Sequence, residues 1–180
     1  LGRRLPGTEL LLQLDEPSLP AVLAGRVPTP SGFGTLRAPE PATVQEHLRT
    51  AGSAAGHLVV HCCAPGAPID LLRSAGAHAL ALDLAVLRRA DEDAVGEAVE
   101  SGAGLLLGCV PSTDRPLPDA ATTLRPVREL WRRLGLPAER LPETVVVTPA
   151  CGLAGASDGY ARQALRACTA AARLLREEPE

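Results

Sequence analysis

Aromatic residues and methionine are almost missing from this chain, which has one Phe, one Trp, one Tyr and no Met in 180 residues. A chain of this length buries a sizeable core, so that core must be packed from Leu, Val and Ala. Long apolar runs are missing too. None approaches the roughly 20 residues of a membrane-spanning helix, and the N-terminus has no secretory apolar segment, so no membrane partner is expected. Positive charge is not in excess, since 18 Lys and Arg stand against 21 Asp and Glu and the isoelectric point is near 5.8. A nucleic-acid partner needs a concentrated basic face and is excluded. Disorder is excluded as well, because only 22% of the residues are charged while 46% are hydrophobic. The missing Met extends to position 1. The chain opens Leu1-Gly2-Arg3-Arg4, as a processed chain or a piece cut from a longer one would.

Cysteine is scarce but present, at positions 62, 63, 109, 151 and 168. An odd count at irregular spacing, in an acidic chain with room for a core, makes a poor disulfide framework. These read as reduced thiols of a cytoplasmic protein, free for metal binding or chemistry.

Five short runs rich in Val and Leu read as strands: 9–15 (ELLLQLD), 57–63 (HLVVHCC), 78–84 (HALALDL), 104–110 (GLLLGCV) and 144–148 (TVVVT). They are continuous rather than alternating, the pattern of strands buried on both faces of a parallel sheet. Helical stretches fall between and after them, at 42–54, 69–75, 91–101, 117–134 and 157–178, the fourth helical in its clean part from Pro126 to Leu134 and the last capped by Ser157. Residues 17–41 read as one long loop. Alternating strands and helices form a parallel sheet, either open and doubly wound or part of a (β/α)8 barrel. No Gly-rich phosphate loop follows any strand, and polar and thiol residues gather at strand C-termini, where barrel sites lie. The expected fold class is α/β of the (β/α)8 TIM-barrel type.

Four strand ends carry groups that suit a metal: Asp15-Glu16, His61-Cys62-Cys63, Asp83 and Cys151-Gly152. Side chains alternate along a strand, so His61 and Cys63 point to one side and Cys62 to the other. That delivers an imidazole and a thiolate to one point, a pair zinc accepts. Cys151 and Asp83 could complete the set. Cys62, Cys109 and Cys168 read as small apolar packers. His47, His57 and His78 read as surface or structural residues, the Arg pairs 88–89 and 132–133 as solvated helix ends, and Trp131 as packing on a helix outer face.

His61-Cys62-Cys63, the Asp83 strand end and Thr148-Pro149-Ala150-Cys151-Gly152-Leu153 resemble the C-terminal catalytic domain of the cobalamin-independent methionine synthase family. Gln13-Leu14-Asp15-Glu16-Pro17-Ser18 is similar to that family's (I/V)-Asp-Glu-Pro-Ala segment. The resemblance spans almost the whole chain, in one order and with similar spacing. It implies a (β/α)8 barrel in which this chain, residues 1–180, covers about strands 4 to 8. It also implies a zinc ion held by His61, Cys63, Asp83 and Cys151, with Asp15 on the amino group of homocysteine. The implied activity is S-methyl transfer from a methylated folate to a zinc-bound thiolate, in methionine biosynthesis.

Three positions depart from the family pattern. Asp83 stands where the family has Glu, and Ala150 where it has Asp. The segment that supplies a proton-donating His appears as Cys109-Val110-Pro111-Ser112-Thr113-Asp114, leaving Asp114 as the candidate acid. Two alternative readings stay open: a related zinc methyltransferase moving methyl groups from a corrinoid to another thiol, and a zinc-binding fragment without activity of its own. Five strands out of eight leave an open barrel edge with unpaired backbone. A second chain or upstream residues are expected to cover it.

Overall fold

The computed structural model describes residues 7–179. Each Val- and Leu-rich run forms a strand: β1 (Leu11–Asp15), β2 (His57–Cys62), β3 (Ala79–Asp83), β4 (Gly104–Val110) and β5 (Val145–Pro149). All pair in parallel, and their order across the sheet is their order in the chain. That order decides between the two expected architectures. A doubly wound sheet reverses direction at a switch point. Here every strand is laid on the same side of its predecessor, so crossovers of one hand carry the helices to a single face. The result is an arc of the TIM-barrel type.

The helices are α1 (Leu19–Leu23), α2 (Pro41–Gly52), α3 (Ile69–Ser74), α4 (Glu92–Glu100), α5 (Ala120–Leu134), α6 (Leu141–Thr144) and α7 (Asp158–Glu177). One parity of the sheet faces them. Leu58, Val60, Leu80, Leu82, Leu105, Leu107 and Val147 pack with Leu72, Val99, Leu124, Leu130 and Leu175 into one core. Each such side chain contributes about 1.5–3 kcal/mol by leaving water. The other parity lines the concave side. At its centre Val59 and Ala81 are buried, while Leu11 and Val146 at the ends of the arc are 65% and 55% exposed. Burial on both faces therefore holds for β2 and β3 and fails for β1, whose residues alternate exposed and half-buried.

Three local expectations are corrected. Residues 17–41 are not all loop, because Leu19 is buried and anchors α1. Helix α5 is regular from Ala120 rather than from Pro126, with the Asp119 carboxylate accepting the Thr122 N–H at 2.7 Å. Pro126 removes one rung of the helical ladder, a cost of about 3 kcal/mol. Burial of Leu124, Val127, Leu130 and Trp131 on the same helix outweighs it. Trp131 lies in the core, not on an outer face, and its Nε1 donates to the Pro137 carbonyl at 2.9 Å. Two of the expected solvated arginines also have partners. Arg133 grips Glu92 with Nε and Nη2 and ties α5 to α4, and Arg88 holds Asp91.

Candidate metal centre

Strand parity places the first two donors. Cys62 turns to the helix-covered face, where it is buried, and His61 and Cys63 turn to the concave side. The third donor comes from the loop after β5. There the Ala150 N–H donates to the Val110 carbonyl at 2.8 Å, folding the loop across the top of β4. Gly108 makes the crossing possible, because a Cβ at that position would stand 2.5 Å from the Cα of Ala150. Carried over β4, Cys151 brings its Sγ to 3.6 Å from that of Cys63. Two sulfurs bound to one tetrahedral zinc at about 2.3 Å each would be about 3.8 Å apart. With the His61 ring nitrogen, the three donor atoms all lie within 4.8 Å of one another. The donor set and its spacing fit zinc.

Burial, and then the neighbouring Cys151 thiol, push the Cys63 thiol up to about 11. A thiol raised in this way keeps its proton at neutral pH until a cation replaces it. The remaining cysteines are packers, as the sequence suggests. Cys109 lies against the core with its Sγ directed at the Leu107 carbonyl, and burial pushes it up to about 12. Cys168, inside the packed face of α7, is pushed up to about 11 by burial.

The register of β1 on β2 sets Asp15 beside His61. A cavity of about 420 Å³ opens there on the concave side, lined by Gln13, Asp15, His61, Ala81, Leu106 and Cys151 among others. Gln13 Nε2 donates to Asp15 Oδ1 at 2.8 Å.

Two expected site residues stand elsewhere. Asp83 ends β3, but its Oδ1 accepts the Ala85 N–H at 2.9 Å and closes the turn that follows. Its carboxylate lies outside the group of three donors and lines a separate cavity of about 240 Å³ with Cys109, Ser112 and Arg115. A side chain one methylene shorter than Glu caps its own turn here instead of reaching inward. Asp114 serves α7. Its two oxygens accept the Ser157 N–H at 2.8 Å and the Ser157 hydroxyl at 2.6 Å, and Ser157 in turn caps the Tyr160 N–H. These bonds hold the Asp114 carboxyl below the ordinary carboxylate range. The structure thus places Asp114 at the start of α7 and outside the group of three donors.

Two residues that the sequence reading does not single out, Gly108 and Gln13, also stand at the site. Gly108 had a signal, since a glycine inside the strand run LLLGCV marks a close backbone approach. Gln13 had only its parity with Asp15.

An arc of parallel strands with an imidazole and two thiols gathered at its C-terminal edge defines a barrel-type domain with a donor group that could hold a metal ion. The family model described as the catalytic domain of cobalamin-independent synthase matches residues 6–174. The chain belongs to that family. No match was found among curated proteins. No helix among the described residues is long and apolar enough to cross a membrane.

Proposed function

We propose that this chain is the metal-bearing part, about strands 4 to 8, of a zinc-dependent S-methyltransferase of the cobalamin-independent methionine synthase type. The observation that carries this reading is the His61/Cys63/Cys151 donor group, two of whose members, His61 and Cys151, line a cavity together with Asp15. Membership in a family of synthase catalytic domains supports methyl transfer as the reaction class.

Three protein ligands leave a fourth position for a substrate thiol. Zinc, when bound, supplies the positive charge that turns a thiol of pKa about 8.5 into a thiolate at neutral pH. Cys63 and Cys151 add negative charge beside that sulfur and keep it nucleophilic. Asp15 accepts the ammonium group of homocysteine, and Ala81 and Leu106 offer apolar surface to its methylenes. The sulfur bonds the methyl carbon of a methylated folate. The carbon–N5 bond breaks, its electron pair passes to N5, and N5 takes up a proton from solvent water. Asp83 keeps its own turn, and the site needs no fourth protein ligand. Unpaired outer edges of β1 and β5 among the described residues support closure of the barrel by further strands, from preceding residues or a second chain. Five free cysteines suit a reducing compartment such as the cytoplasm.

The test is proton release. Homocysteine added to the zinc-loaded chain in weak buffer at neutral pH is expected to free about one proton per site as its thiol ligates. Release with another thiol but not homocysteine would reassign the substrate. No release with any thiol would overturn the reading.

A further inference from the structure

We propose that Gln13 is a positioning residue that fixes the Asp15 carboxylate and thereby makes the site selective for thiols that carry an amine. This deepens the reading above and rests on it. Gln13 and Asp15 are two residues apart on β1, so their side chains leave the same face of the sheet. Both line the cavity that His61 and Cys151 close from the metal side. The Gln13 amide donates to Asp15 Oδ1 at 2.8 Å, the one side-chain hydrogen bond that the Asp15 carboxylate accepts among the described residues.

The choice of an amide has chemical consequences. Both residues are exposed, and a lone exposed Asp on a strand samples several rotamers, each of which must be given up when a ligand binds. A fixed hydrogen bond removes that cost in advance. Lys or Arg would hold the carboxylate as firmly, but would cancel the negative charge that attracts an ammonium group. A neutral amide donor orients the carboxylate and leaves its charge intact. One oxygen is occupied by Gln13, and the other is left to accept from the ligand. The distance from Asp15 to the metal donors then acts as a ruler between amine and sulfur.

The experiment uses the full chain loaded with cobalt(II), whose sulfur-to-metal charge-transfer absorption reports thiol ligation without turnover. It compares homocysteine with 4-mercaptobutanoate, which has the same thiol and carboxylate but no amine. The unmodified chain is expected to prefer homocysteine, and Asp15→Asn to abolish the preference. Gln13→Leu and Gln13→Val, both compatible with a strand, are expected to weaken homocysteine about tenfold and leave 4-mercaptobutanoate unchanged. Equal weakening of both thiols, or no change in their ratio in either variant, would overturn the role of Gln13 while Asp15→Asn still abolishes the preference. If Asp15→Asn keeps the preference, the amine reading of Asp15 fails, and the role of Gln13 with it.

Discussion

Replacing Gly108 by Ala tests how the site is assembled without touching a metal donor. The added Cβ would stand 2.5 Å from Ala150 Cα and 3.2 Å from both Ala150 N and the Leu82 carbonyl oxygen. Ordinary contact begins near 3.4 Å, so the backbone at Ala150 must retreat by about 0.9 Å. Both of the nearest obstacles are main chain, and the Ala150 N–H is already held by the Val110 carbonyl at 2.8 Å. Overpacking of this kind costs about 1–3 kcal/mol. Cys151 is the next residue and must move too, whereas zinc tolerates ligand distances only within about 0.2 Å. Gly108→Ala is therefore expected to lower zinc affinity about 10- to 100-fold, the range seen when groups that orient metal ligands are removed. Competition with a chromogenic chelator measures this. Gly104→Ala is the control, because its Cβ would meet Ala79 at 3.4 Å and nothing closer. Zinc affinity in Gly108→Ala equal to that of the parent chain, with Gly104→Ala also unchanged, would refute the crossing-loop explanation.

Three further outcomes follow from the same geometry. Cys151→Ser is expected to lower zinc affinity at least tenfold, and Cys168→Ser, buried in α7 away from the donors, to leave it unchanged; metal analysis after dialysis distinguishes the two. Asp114→Ala is expected to lower the melting temperature while zinc and thiol binding persist, because its carboxylate serves Ser157. Since that carboxyl is held low in the folded chain, its stabilisation is full at neutral pH and fades as pH falls through the depressed value; thermal melts of the two chains should converge in acid, and loss of thiol binding in an otherwise folded variant would contradict the assignment. A Cys63 thiol raised to about 11 must lose its proton to bind metal, so zinc affinity is expected to rise at least about tenfold per pH unit between pH 6 and 8; a flat profile in a pH-controlled competition would count against thiolate ligation.

Much of the arc could be read from the residues because β2 to β4 carry short runs of Val, Leu and Ala and their neighbours carry helical periodicity. The pairing of His61 with Cys63 was equally legible, because strand parity alone decides it. Cys151 is different. It lies 88 residues from Cys63, and its strand-end position offers it as a further donor without saying that the two meet; the physical device that brings them together is the empty space at Gly108. Asp83 and Asp114 lie away from the three donors for a shared reason. Each carboxylate found a backbone N–H partner, Ala85 in one case and Ser157 in the other, and such partners depend on where a turn or a distant helix begins. Helix α5 shows the same limit, since burial of Leu124 and Trp131 overrides the local preference of Pro126.

The central claim is that His61, Cys63 and Cys151 bind one zinc ion and leave a position for a thiol. X-ray absorption at the zinc edge of the chain loaded with one equivalent of metal addresses it most directly. Two sulfurs at about 2.3 Å and one imidazole nitrogen at about 2.0 Å are expected, with a third sulfur appearing when homocysteine is added. A zinc ion surrounded only by nitrogen and oxygen, or none retained while all five cysteines are reduced, would contradict the claim.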